Sequence, residues 1–371
     1  MNIGCVKEIK NNEFRVGLTP DNVYVYVQDG HTVYIQNGAG LGSGFADEEY
    51  IEAGAIMKED AREVWDLCDM MVKVKEPLEE EYPYFHEGLI LYTYLHLAAD
   101  KPQLDALVNA KVKGVAYETL MERDFSLPLL IPMSQIAGRL SIQEGSKYLE
   151  RKYGGEGVLL SGVPGTPAAK VVIIGAGTVG MNAAKSAIGL DADVTILDIN
   201  PKRLEELDSL YANRIHTLYS TDKNIERAVK EADLVVGSVL IPGASTPKLF
   251  KKKYLKEMKE GSVFVDVAID QGGCGESSHM TTHDDPIYTV DGVIHYCVGN
   301  MPGAVSRTST IALTNATLKY GRQIAKYGLE EACKKNNVIL SAINTYDGKV
   351  THKGVADAFD DVEYTLLYDL F

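Results

Sequence analysis

Three side chains suited to acid–base or carboxylate chemistry each follow a strand-like apolar run. Lys75 comes after Met71-Val72-Lys73-Val74, His96 after Leu91-Tyr92-Thr93-Tyr94-Leu95, and Asp270 after Val265-Asp266-Val267-Ala268-Ile269. A fourth, Arg15, sits in the turn-like segment 11–17, ahead of a helix start at Thr19-Pro20. In open α/β sheets ligands bind beyond the carboxyl ends of the strands, so these are the positions to search. A histidine moves protons near neutral pH, a lysine or arginine holds a carboxylate, and an aspartate orients an imidazole or a water. Each also has a plainer use: a structural histidine, a solvated loop lysine, a surface ion pair at Arg15, a turn cap at Asp270. Spacing alone leaves that choice open.

A glycine turn supplies the partner chemistry. Val171-Val172-Ile173-Ile174 leads into Gly175-Ala176-Gly177-Thr178-Val179-Gly180, and the next strand-like run, Val194-Thr195-Ile196-Leu197, ends in Asp198. Strand, glycine turn, helix and a second strand tipped with a carboxylate form the order that holds a dinucleotide. Gly175 permits the tight turn, Gly177 admits the pyrophosphate, and Gly180 lets the helix lie close to the strand. Asp198 is placed to bind the ribose hydroxyls and to repel a 2′-phosphate, which favours NAD over NADP; Lys202 and Arg203 just beyond it act against that preference.

The elements that must position these groups follow from the hydrophobic pattern. Runs near 3–6, 33–35, 70–74 and 89–95 read as strands, as do 171–174, 194–197, 234–239 and 263–267. Segment 21–29 alternates like a strand, yet Thr19-Pro20 is a good helix start and Gly30 a good stop, so a helix is expected. Longer helices are expected over 134–153 and 309–326, and a turn at Asp347-Gly348. The charge run 251–259 reads as the wet face of a helix. The fold class is therefore α/β: a doubly wound Rossmann domain at 129–305, inserted into a discontinuous α/β domain made of 1–128 and 306–371.

Composition limits the partners. The 371 residues carry a net charge of −15, which argues against a nucleic-acid surface. Five scattered cysteines without a C-x-x-C pair argue against a disulfide framework and fit a reducing cytoplasm. With no signal-like start and no run of 18 apolar residues, neither export nor a membrane span is expected. His279 and His283 lie in loop-like sequence, and Glu118 stands alone as a possible magnesium ligand, so no metal site is expected.

Six further segments occur in a fixed order: Lys7-Glu8-Ile9-Lys10 through Arg15-Val16-Gly17-Leu18-Thr19-Pro20; Val74-Lys75-Glu76-Pro77; Thr93-Tyr94-Leu95-His96; Pro132-Met133-Ser134 with Ala137-Gly138; Asp266 through Cys274; and Val298-Gly299-Asn300-Met301-Pro302-Gly303-Ala304-Val305. On these segments the chain resembles the alanine dehydrogenase family, nearly end to end. The resemblance implies that Arg15 and Lys75 bind substrate, that His96 acts as acid and base, and that Asp270 assists. It implies NAD contacts from Ser134, Thr178, Val179, Asp198, Arg203, Ser220, Val239, Leu240, the stretch Val267, Ala268, Ile269, Asp270, and the stretch Val298, Gly299, Asn300, Met301. It also implies a substrate domain built from both chain ends, a hexamer, and reversible conversion of L-alanine, NAD and water to pyruvate, ammonia and NADH.

The chain departs from the family pattern at His279, where arginine is common, at Gly299, where alanine is common, and at Ser306, where proline is common. Tyr327 stands where the family has a metal-binding histidine. Two other readings stay open at this point: the NAD-binding component of a proton-pumping transhydrogenase, which needs a membrane partner, and an NAD-binding sensor without catalysis.

Overall fold

The computed structural model describes residues 1–239 and 246–370. In chain order the strands are β1 (Asn2–Cys5), β2 (Thr32–Gln36), β3 (Ile56–Lys58), β4 (Met70–Val72), β5 (Ile90–Thr93), β6 (Lys113–Ala116), β7 (Lys170–Ile174), β8 (Asp193–Asp198), β9 (His216–Tyr219), β10 (Leu234–Gly237), β11 (Val263–Asp266), β12 (Ile287–Val290), β13 (Val293–Tyr296), β14 (Ile343–Tyr346) and β15 (Lys349–Val350). The chain forms two compact units, Met1–Met133 with Val305–Phe371, and Ser134–Ala304. The sequence boundaries at 128/129 and 305/306 lie within five residues of these divisions.

Among the described residues, the sheet of the first unit runs β15-β14-β6-β5-β4-β1-β2-β3. From β6 to β3 every pairing is parallel, and the β14–β15 hairpin closes the β6 edge in antiparallel fashion. The central strands β4 and β5 are buried at every position, as parallel strands covered on both faces must be. The helix Pro20–Gln28 forms as expected: the Thr19 hydroxyl accepts the Asn22 N–H, and Val23 and Tyr26 face inward. The helix Ser306–Tyr327 extends the expected 309–326 and buries Ser309, Thr310, Leu313, Thr314, Thr317, Tyr320, Gly321 and Ile324, a stripe at helical spacing.

The second unit repeats the same winding. Its sheet runs β12-β13-β11-β10-β7-β8-β9, parallel except for β12. In each unit the strand order reverses at the first strand, between β1 and β4 in one and between β7 and β10 in the other. That reversal opens a crevice beyond the carboxyl ends, and the order is that of a doubly wound Rossmann fold.

Two helix expectations need correction. The helix expected over 134–153 spans Ile131–Tyr148. Pro132 is accommodated in its first turn, and the chain turns back where the Gly155 N–H bonds the Glu150 carbonyl, leaving a separate 3₁₀ turn at Arg151–Tyr153. The charge run holds only a 3₁₀ helix, Lys252–Glu257, because buried Tyr254 and Leu255 tie it down while Lys251 pairs with Asp222 and Lys259 with Asp233. All five cysteines are buried and unpaired. Among the described residues no helix is long and apolar enough to cross a membrane.

Candidate active site

In the second unit, the carboxyl ends of β7, β8 and β10 surround a cavity of about 440 Å³. Ser134, Gly175, Gly177, Thr178, Val179, Asp198, Ser220 and Val239 line it, and so do Ser238, Pro247 and Leu249. The glycine turn is built by exclusion. Gly175 has φ 102°, and a Cβ at Gly180 would stand 1.8 Å from the Gly175 carbonyl oxygen. A Cβ at Gly177 would meet nothing within 4 Å, so the space above that residue is open to a ligand. The helix Thr178–Gly189 begins here and directs its unpaired N–H groups and positive dipole end at the same space.

The turn is fastened from two sides. The Asp198 carboxylate accepts the N–H of Ala176 at 2.7 Å and of Asn200 at 2.8 Å. Ser238, directly after β10, reaches the carbonyls of Ile174 and Gly175 at 2.9 Å each. Arg203 donates from Nε to the Ala176 carbonyl at 2.9 Å and from Nη1 to Glu206 at 2.7 Å. The helix N-terminus, the open glycine and the acidic strand tip suit the two phosphates and the ribose of a dinucleotide.

The 3₁₀ turn Val267–Gln271 follows β11 and carries Asp270. Buried Asp266 caps it, accepting the N–H groups of Ala268, Cys274 and Gly275 and the Ser278 hydroxyl at 2.5 to 3.2 Å. Asp270 in turn accepts the Asn300 N–H at 3.2 Å, which joins 267–270 to 298–301. His279 stacks on Tyr288 with ring centroids 3.7 Å apart, and His283 lies 3.3 Å from the Asn300 carbonyl.

The first unit carries Lys75 and His96 just beyond the neighbouring strands β4 and β5, and Arg15 in the longer segment that follows β1, the strand paired beside β4. Arg15 is buried and doubly bonded to Glu13, Nε and Nη2 each 2.6 Å from a carboxylate oxygen, with Nη1 3.1 Å from the Met133 sulfur. Burial opposes its charge, and the Glu13 bonds and charge outweigh that cost. Burial also raises the Tyr94 hydroxyl, opposed by the charge of Arg15, and that hydroxyl donates to the Leu129 carbonyl at 2.6 Å. The Tyr94 ring lies over the His96 imidazole, 5.9 Å between centroids at 12°.

Lys75 and His96 share a neighbour in Glu76. Burial pushes the Glu76 carboxyl up, but Lys75, Lys10 and His96 together hold it below the usual carboxylate range. Directly before Lys75, Lys73 is fully buried and pairs with Glu8 at 3.1 Å and Glu81 at 2.9 Å. Glu8 also accepts the backbone N–H groups of Val74 and Lys75 at 2.6 and 3.3 Å, so the segment after β1 latches onto the end of β4.

The alanine dehydrogenase/PNT N-terminal and C-terminal domain models match residues 4–137 and 141–353. An alanine dehydrogenase of Staphylococcus haemolyticus is 58% identical over 370 residues, covering 100% of this chain and 99% of that protein. The chain belongs to the alanine dehydrogenase family. Alanine dehydrogenase 2 of Staphylococcus aureus is 56% identical over 365 residues, 98% of each chain. Among solved structures an L-alanine dehydrogenase superposes with a TM-score of 0.96 at 49% identity, covering 98% of this chain and 100% of that one. A transhydrogenase from Sinorhizobium meliloti, at 24% identity and a TM-score of 0.81 over 95% of this chain and 100% of that one, shares the fold.

Within this alanine dehydrogenase family chain, Gly180 lies beneath the cavity and Arg203 beside it, while Val267, Ala268, Ile269, Val298, Gly299 and Met301 belong to the neighbouring strand ends β11 and β13. Leu240 falls outside the described residues. Sequence reading passed over Ser238, although it is the first residue beyond a parallel strand, and Glu13, whose pairing with Arg15 two positions away has no periodic signature.

Proposed function

We propose that this chain oxidises L-alanine to pyruvate and ammonia with reduction of NAD, and runs the reaction in reverse. The first unit serves as the substrate domain and the second as the NAD domain. The observation that carries this reading is the placement of Arg15, Lys75 and His96 beyond three neighbouring parallel strands, in a chain whose other unit fits a dinucleotide. NAD, when bound, supplies the hydride acceptor.

Arg15, held at a fixed angle by Glu13, binds the substrate carboxylate through the positive charge of its guanidinium. Lys75 polarises the carbonyl or imine group, and its ammonium favours the partial negative charge that develops there. His96 takes a proton from the amine or from the attacking water, and returns it in the reverse direction. Asp270 orients water and ammonia, with its carboxylate steadied by the Asn300 N–H. Met301 and its neighbours frame the nicotinamide end of the NAD domain. The working particle is a homohexamer of the cytoplasm with no nucleic-acid or membrane partner.

The test is to follow NADH absorbance with NAD and a panel of small amino acids, then with NADH, pyruvate and ammonium. L-Alanine should give the highest kcat/KM. Hydride exchange between nucleotides without amino-acid oxidation would support the transhydrogenase reading, and NAD binding without turnover would support a sensor. Light scattering after gel filtration checks the hexamer.

A further inference from the structure

His96 adopts a left-handed backbone, φ 52° and ψ 31°, which a residue with a Cβ holds only when its surroundings compel it. Its flanks Leu95 and Leu97 are buried and its own side chain is exposed, so the turn pushes the imidazole out of the sheet's edge. The compelling partner is Glu118. Just as His96 follows β5, Glu118 follows β6, the strand paired beside it in parallel. Tyr117, buried and edge-on to Tyr92 at 4.5 Å and to Tyr94 at 5.0 Å, anchors that second turn, so Glu118 emerges facing the first. Its carboxylate accepts the His96 N–H at 2.6 Å and the Leu95 N–H at 3.1 and 3.2 Å from its two oxygens.

We propose that Glu118 is a positioning residue for the reaction: by holding two successive N–H groups it fixes the left-handed turn from which His96 reaches the substrate. Successive N–H groups of such a turn form a concavity for an anion, and a carboxylate fills it with charge-assisted bonds. The Tyr94 ring steadies the imidazole plane while Glu118 steadies the Cα from which it hangs. The assignment rests on His96 being the acid–base residue.

The experiment compares Glu118→Ala, Glu118→Asp, Glu118→Gln, His96→Ala and the double variant His96→Ala with Glu118→Ala, in the full chain with alanine and NAD. Glu118→Ala should lower kcat at least tenfold while KM for NAD stays within twofold, and should raise the deuterium isotope effect with 2-deuterated alanine as hydride transfer becomes limiting. Glu118→Asp, one methylene short of the N–H groups, should behave alike, and Glu118→Gln, which keeps an acceptor oxygen, should recover part of the loss. The double variant should be no slower than His96→Ala, because Glu118 acts through that histidine. Wild-type kcat in Glu118→Ala or Glu118→Asp, or losses that multiply in the double variant, would overturn the proposal. If Glu118→Ala does not fold, the Asp variant decides. Should His96→Ala retain turnover, the underlying assignment of His96 fails on its own evidence.

Discussion

The Asp198 carboxylate accepts the Ala176 N–H at 2.7 Å, so the last residue of β8 fixes the glycine turn that follows β7. In the function proposed above, one side chain serves both the ribose end and the phosphate end of the NAD site. Asp198→Ala should raise the dissociation constant of NAD at least tenfold, as followed by nucleotide fluorescence titration, and should narrow the preference for NAD over NADP. A variant with unchanged NAD affinity would remove Asp198 from the site.

Two glycines three residues apart should respond to substitution in opposite ways. Gly177→Val places its side chain in open space above the turn, so NAD affinity should fall at least tenfold with Tm unchanged. Gly180→Ala drives a methyl group into the Gly175 carbonyl, so Tm should fall and expression with it. Calorimetry and titration on the pair separate ligand clash from packing clash.

Lys73 is the cation of a fully buried cluster with Glu8 and Glu81. Lys73→Met leaves Glu8 and Glu81 buried without their cation, at a cost of about 3–5 kcal/mol of stability. Urea unfolding measures it. A cost under about 1 kcal/mol would mean that water or a shifted proton replaces the ammonium.

Glu156 gives the second unit a pH dependence of definite sign. Burial, then the charge of Asp233, push its carboxyl up to about 7 from an ordinary value of 4.5, against the opposing charge of Lys259. The folded state therefore binds this proton more tightly than the unfolded chain. The stabilisation is complete below about pH 4.5 and is lost as pH rises to about 7. Glu156→Gln should flatten that slope and gain on the order of 1 kcal/mol over the parent at pH 8 relative to pH 4, the figure being reduced for solvent screening of a half-buried group. Parallel slopes in parent and variant would show that Glu156 does not titrate in this range.

What the sequence made legible was local. The glycine turn, the acidic tip of β8 and the reactive residues after β4, β5 and β11 are readable because short-range sterics and the two-residue strand period write them into neighbouring positions. Strands β3, β9 and β12 escaped because none of their residues is buried, so no apolar run marks them, and β6, β13, β14 and β15 were passed over as well. The Glu8–Lys73–Glu81 cluster escaped for a different reason. Glu8 and Lys73 are 65 positions apart, and nothing in either segment distinguishes a buried charge from a wet one until the strands pair. Glu118 shows the same limit: a lone carboxylate in the sequence, it takes on meaning only beside the left-handed turn of β5's end.

The interrupted path of the chain also sets the order in which the molecule can be made. Ser134–Ala304 can close its own sheet while Val305–Phe371 is still being synthesised. Throughout that interval the outer rim of β6 lacks β14, and Gly114 lacks the Thr345 hydroxyl that its N–H bonds at 3.0 Å. A nascent chain arrested after the inserted unit would carry a finished nucleotide domain beside an unsealed sheet edge, the kind of surface that recruits another strand. Strand β14, made after the inserted unit, is thus the seal on a sheet whose winding begins at β1.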